Sequence, residues 1–280
     1  MIVGGRRSRV QGVLRAIVLL TGAVVMLLPF YLLVRNALMH SVDLTAAEWH
    51  WLPPRWAFDN LAGLFTDPAV PFGRALANTI LIAVIQTLGV LLFSGLAGYG
   101  LARIPYRWSN VVFGVITATL LVPAAVTFVP AFVLVSSLGW VSSLRGLIVP
   151  GLFQALATFL FRQYFSTFPV EIEEAAAIDG LDAWSTFWRI VVPNSLGFAG
   201  AIGTITFIST WNAFLWPLVI AQDQSVWTVQ IALSTMLTAQ RVDLGHLYMA
   251  GLVSILPLML VFVLLQRLLV QGVERTGLGE

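Results

Sequence analysis

The sequence has no cysteine and no lysine, and only 10% of its 280 residues are charged. Without cysteine there is no disulfide framework, no thiol nucleophile and no cysteine metal site. Without lysine there is no Walker A loop, whose lysine holds the nucleotide phosphates, so the chain is not a standard P-loop ATPase. All 15 basic residues are arginine, against 13 acids, and the formal charge of +2 is too small to suggest a nucleic-acid partner. Soluble domains average about 25% charged residues. A chain that is 59% hydrophobic and this poor in charge reads as an integral membrane protein. Histidine is scarce, with only His40, His50 and His246. No HExxH is present, and no GxSxG accompanies a Ser-His-Asp set, so neither a catalytic group nor a metal site is legible.

A helix needs roughly 20 apolar residues to cross the hydrocarbon core. Six stretches qualify, at about 14–34, 76–99, 109–136, 144–162, 197–220 and 247–269. Lipid offers no partner to a bare peptide group, so each is expected to be helical. The apolar run 16–34 exceeds a signal-peptide core of roughly 7–15 residues and lacks a small-residue cleavage site, which predicts an uncleaved first helix. Arginine placement sets the orientation. With the N-terminus inside, Arg6, Arg7, Arg9, Arg15, Arg103, Arg107, Arg162, Arg189, Arg267 and Arg275 lie inside. Arg35, Arg55, Arg74, Arg145 and Arg241 lie outside. Both termini are therefore expected in the cytoplasm of a multi-pass membrane protein, with residues 1–280 forming a single transmembrane domain. The outer loop 35–75 carries Trp49, Trp51 and Trp56. Such tryptophans mark the membrane interface, contact with a soluble partner being the alternative. A second outer loop is expected over 221–246.

No span holds Asp or Glu. Proton-coupled transport generally needs buried titratable relays, so their absence argues against it while leaving Na⁺ coupling through backbone carbonyls open. The polar residues at depth are Asn212, flanked by Trp211 and Trp216, together with Gln86 and Gln154. An amide beside indole rings suits a sugar, which offers hydroxyls to one and C–H faces to the other. Trp211, Asn212, Trp216 and Gln86 are thus candidates for a substrate path, and interhelical hydrogen bonding is the competing role for the amides. Pro123 and Pro130 are expected to bend the third span.

The acids concentrate elsewhere. Residues 169–193 hold five of them, Glu171, Glu173, Glu174, Asp179 and Asp182, within a cytoplasmic segment spanning 163–196. Pro169 suits a helix start. The glutamates complement the positive end of the macrodipole, and Ala175, Ala176 and Ala177 are strong helix formers of little bulk. Gly180 suits a left-handed helix end, and Asp182 can cap a second helix. That helix carries Trp184, Phe187, Trp188 and Val191 on one stripe, predicted to anchor the hairpin beneath the bundle, and Pro193 is predicted to stop it. Amphipathic helices that rest on lipid usually have basic polar faces, whereas this hairpin has five acids and one arginine. It reads instead as a surface that docks another protein.

The stretch resembles the EAA loop of the membrane permeases of ABC importers. Glu174-Ala175-Ala176, Gly180, Ile190 and Pro193 stand at that loop's spacing, with Val192 in place of leucine. Asp179-Gly180 resembles the carbohydrate-importer version. Asn78-Thr79, LAGYGLARIPYRW (96–108), LFRQYFSTFPVEIEEAAAIDG (160–180) and WNAFLWPLVI (211–220) are similar to the shorter, six-span subunit of maltose-type permeases. The second family proline, expected a few residues after Pro193, is missing.

The resemblance implies an all-α membrane protein with six transmembrane helices in the type I ABC-importer permease fold. It further implies a non-catalytic subunit that binds no cofactor itself, with ATP and Mg on a separate ATPase. Two ATPase domains would dock at the cytoplasmic face through Glu173, Glu174, Ala175, Ala176, Asp179, Gly180, Ile190 and Pro193. A second permease would complete a heterodimer, and an extracellular substrate-binding protein would deliver a sugar, oligosaccharide or polyol. Glycerol phosphate or a glycerophosphodiester is the alternative cargo. An ion-coupled secondary transporter is the alternative class.

Overall fold

The computed structural model describes the backbone of residues 5–240 and 242–277 and the side chains of 11–240, 242–264 and 266. The side chains of Arg6, Arg7, Arg9, Arg241, Arg267 and Arg275 lie outside the described residues. All regular structure among the described residues is helical, and it divides into two compact units, Met1–Phe72 with Leu233–Ile255 and Gly73–Ala232 with Leu256–Glu280.

In the first unit, α1 (Gly5–Ala37) is followed by α2 (Ser41–Leu44) and α3 (Asp59–Thr66). Leu19, Leu20, Val24, Met26 and Leu27 of α1 are all more than 60% exposed. An apolar helix bare on every side is at home in lipid and costly in water. Beyond α1 the chain folds tightly. The buried Asn60 amide donates to the Ala37 and Met39 carbonyls, each at 2.9 Å, so the end of a long helix is tied to a short one. Ser41 Oγ donates to Asp243 at 2.6 Å and accepts from the Gly245 amide at 2.9 Å. Trp49, Trp51 and Trp56 are all more than half exposed, and the Arg35 guanidinium lies 4.3 Å over the Trp49 ring.

The second unit holds most of α4 (Phe72–Arg103), then α5 (Ser109–Thr119), α6 (Ala124–Ser137), α7 (Leu144–Ile148) and α8 (Ala155–Ser166). Next come α9 (Val170–Ile178), α10 (Ala183–Thr186), α11 (Val192–Asn194), α12 (Leu196–Trp211) and α13 (Leu215–Ile220). The chain closes with α14 (Val229–Thr238) and α15 (Leu244–Gly277), each of which begins in one unit and ends in the other.

Four stretches are long and apolar enough to cross a membrane: Gln11–Ala37, Phe72–Arg103, Leu144–Ser166 and Leu244–Leu264. Two bent pairs raise the number to as many as six. One is α5 with α6, bent by 99° where Pro123 opens α6 with extended backbone. Pro123 therefore breaks the third span, whereas Pro130 lies inside α6. The other pair joins Ala183–Asn194 to α12 with a bend of 78°. The expected continuous span 197–220 is interrupted as well, because α12 ends at Trp211 and Asn212 caps it.

The segment 221–246, expected to be an outer loop, is not simply a loop. It contains α14, in which Val229, Ala232 and Met236 are buried at i, i+3 and i+7. This helix is too short to cross a membrane, and Ile231 is buried beside that stripe.

The core of the second unit has two main centres. One packs Tyr99, Phe161, Phe165, Phe187, Val191 and Ile202. The other packs Ile82, Val135, Leu147, Ile220, Ala221 and Val226. The first lies beside the acidic hairpin and the second beside a mainly apolar cavity with one polar wall.

Candidate functional site: an acidic hairpin and an uncharged cavity

The hairpin is built by local chemistry. Pro169 precedes α9, and Glu171 and Glu173 occupy its first turn. At the other end the Leu181 amide donates to the Ala176 carbonyl at 3.0 Å and the Gly180 amide to Ala177 at 3.1 Å, with Gly180 at φ +83°. This is a Schellman turn, whose left-handed position favours glycine. Asp182 then caps α10, its carboxylate accepting from the Ser185 amide at 2.8 Å. The bonds to Ser185 hold that carboxyl below its ordinary range.

The second arm departs from a regular helix. After the single turn of α10, Phe187–Val191 forms a π-helical turn in which the Val192 amide reaches back to the Phe187 carbonyl. The wide turn precedes Pro193, which has no N–H and whose ring would crowd the Arg189 carbonyl in a regular helix. Contrary to expectation, Pro193 does not stop the helix. Helical backbone continues to Asn194, and the chain turns at Ser195. The aromatic stripe is also divided. Phe187 and Val191 are buried, while Trp184 is 60% and Trp188 39% exposed. Only half of the stripe anchors the hairpin.

The EAA residues separate in the same way. Glu174, Ala175, Asp179 and Gly180 are exposed, Ala176 is buried, Ile190 is half-buried and Pro193 is exposed. Ile178, between them, is 87% exposed. Glu173 faces the other way. Its carboxylate lies 3.3 Å from Arg103 Nε at the end of α4, and each side chain is only 16% exposed. Burial raises the Glu173 carboxyl above its ordinary range, and the Arg103 charge partly offsets this.

The cavity, of about 360 Å³, lies among α4, α6, α7, α12 and α13. Thr79, Gln86, Gln154, Ser209, Thr210 and Thr228 supply its polar wall, and Ala131, Leu147, Trp216 and Pro217 its apolar one. Among the described residues, no charged one lines it. Gln86 is a strut. It donates to the Leu147 and Ile148 carbonyls at 2.8 and 3.2 Å and accepts from Thr210 at 3.0 Å. A Cβ on Gly151 would collide with it. Trp216 donates its indole N–H to the Gly146 carbonyl at 3.0 Å, which fixes the ring at the cavity wall. The Thr228 hydroxyl, 5% exposed with its residue, has no hydrogen-bond partner.

Of the four residues expected on a substrate path, Gln86 and Trp216 meet in this cavity and the other two do not. Trp211 is buried and stacked on Phe207, with centroids 5.7 Å apart. Asn212 donates to the Ile208 carbonyl of its own helix at 2.9 Å and accepts from Gln230 at 3.5 Å. Ser209 and Thr228 are additions that sequence alone did not mark, since a lone hydroxyl in an apolar run is no signal. Asn78-Thr79 has a structural task. The Asn78 amide donates to the Ser225 and Trp227 carbonyls at 3.0 Å each, and Thr79 accepts from the Val229 amide at 2.8 Å.

Comparisons with known proteins fit this geometry. Residues 91–275 match the family described as binding-protein-dependent transport system inner membrane component. The lactose transport system permease protein LacG of Rhizobium radiobacter is 34% identical over 215 residues, 77% of this chain and 78% of that protein. The sn-glycerol-3-phosphate transport system permease protein UgpE of Yersinia pestis is 31% identical over 262 residues, 91% and 93% of the two chains. The arabinooligosaccharides transport system permease protein AraQ of Bacillus subtilis is 29% identical over 80% of each chain. A solved bacterial ABC transporter, involved in import of the acidic polysaccharide alginate, shares the fold with a TM-score of 0.83. It is 22% identical and covers 95% of this chain and 99% of the matching one. The chain thus belongs to the family of inner-membrane components of binding-protein-dependent transport systems and is a multi-pass membrane permease.

Proposed function

We propose that this permease serves an ATP-driven importer of a sugar, oligosaccharide or related polyol, coupled to a separate ATPase and fed by an extracellular substrate-binding protein. The observation that carries the reading is the hairpin. A rigid Schellman corner presents Glu174, Ala175, Ile178 and Asp179 to solvent, while Phe187 and Val191 fix its second arm in the core. An apolar side chain as bare as Ile178, beside acids at a small-residue surface, suits a protein partner with basic groups. ATP and Mg would be bound by that partner. A second permease, forming a heterodimer, would complete the path.

The cavity supports a neutral cargo. Amides and hydroxyls beside an indole ring match a polyol, and an anion would sit without a cationic partner. The sequence similarity to a glycerol-phosphate permease keeps an anionic cargo as the second reading, in which the partner permease supplies the positive charge.

The test is uptake by proteoliposomes holding the permease pair, the ATPase and the binding protein. Lactose or arabinooligosaccharide uptake that needs ATP supports the reading. Uptake of glycerol 3-phosphate alone replaces the cargo class, and uptake driven by an ion gradient without ATP overturns the mechanism.

A further inference from the structure

The pair Arg103 and Glu173 lies outside the exposed EAA face, and its geometry is that of a joint. Arg103 is the last residue of α4. Its guanidinium holds α9 at two points. One N–H group donates to the Phe168 carbonyl, just before the helix begins, and Nε faces Glu173, one turn inside it, at 3.3 Å as an ion pair without a hydrogen bond. One contact would leave the helix free to swivel, whereas two at different heights set its direction. An arginine fork makes the two contacts through different nitrogens, whereas a lysine has only one nitrogen for both.

One turn back along α4, Tyr99 secures the hairpin's other arm. Its ring lies 4.9 Å from Phe187 and 5.7 Å from Phe165. Gly98 keeps α4 and α8 in backbone contact, since a Cβ there would lie 2.6 Å from Phe161 Cβ and 2.9 Å from the Arg162 amide. Both arms of the hairpin are therefore fastened to one end of α4. The same helix carries Gln86 into the cavity wall, 17 residues or ~25 Å away along its axis.

We infer that Arg103 and Glu173 are positioning residues that join the docking hairpin to α4, so that displacement of the hairpin reaches the cavity through α4 as a rigid rod. The inference rests on the proposed role of the hairpin. It divides labour between adjacent glutamates: Glu174 faces the partner and Glu173 faces the permease itself.

The test uses the assembled complex in lipid. In Arg103→Gln and Glu173→Gln variants, hydrogen exchange of the α9 amides is expected to rise at least tenfold, and uptake per ATP hydrolysed to fall at least fivefold. Arg103→Lys should be intermediate. The charge swap Arg103→Glu with Glu173→Arg should recover part of the uptake lost by either single change. Unchanged exchange overturns the joint. Faster exchange with wild-type uptake per ATP overturns its transmitting role, as does a swap no better than the single variants. The exchange measurement needs no cargo, so a wild-type complex that imports no carbohydrate counts against the proposed function and leaves the joint to be decided by exchange.

Discussion

At the scale of single residues, glycines and one aspartate carry distinct demands. Gly180 sits at φ +83°, where any Cβ adds strain, about 1 kcal/mol for alanine. Gly180→Trp lies outside every candidate span and should insert normally while abolishing uptake, with membrane fractionation and transport measured together. Gly98 and Gly100 form a matched pair in one helix. A Cβ at Gly98 meets backbone at 2.9 Å, whereas one at Gly100 meets nothing within 4 Å. Gly98→Ala should cost about 1–3 kcal/mol of overpacking and lower the thermal midpoint in detergent, while Gly100→Ala should leave it unchanged or raise it. Asp243 brings a pH dependence. Burial raises its carboxyl, but the Ser41 hydroxyl, the His246 amide, the His246 ring and the Gly245 amide outweigh it and hold the group below its ordinary range. A carboxyl lowered by folding contributes stability that is present above its unfolded value, roughly pH 4, and lost as pH falls through the lower folded value. Asp243→Asn should therefore lower the midpoint at neutral pH and flatten its decline in acid.

At the scale of elements, the hairpin's first arm was legible because its signals are local. Proline before a helix, glycine after it and an aspartate two residues on each act through their nearest backbone groups. The second arm was not, because the π turn depends on Pro193 and on burial of Phe187 and Val191 against Tyr99 and Phe165, residues far away in sequence. This division predicts opposite behaviour for neighbouring aromatics. Phe187→Ala empties a core position and should destabilise by about 3–5 kcal/mol. Trp184→Ala removes an exposed ring, so the fold should hold while co-purification of the ATPase subunit weakens. The helix α14 went unread for a different reason. Its ten residues fall short of membrane-crossing length, and the burial of Val229, Ala232 and Met236 is set by tertiary packing. The cavity was half legible. Gln86 and Trp216 stand out as polar or aromatic residues in apolar runs, while Ser209 and Thr228 gain meaning only when the topology gathers residues 79–228 around one space.

At the scale of the whole molecule, the described cavity lining is uncharged, while five of the 13 acids stand on one hairpin. On the proposed function, nucleotide energy would enter through the exposed face of α9. The absence of native cysteine makes that face addressable, since a single introduced thiol is the only one in the chain. The most direct measurement is thiol crosslinking from Ala175→Cys, an exposed position in the EAA triplet, within an assembled complex that still transports. The expected result is a crosslink to the ATPase subunit whose yield changes when ATP binds. A transporting complex in which the introduced thiol crosslinks to no ATPase, in any nucleotide state, would contradict it.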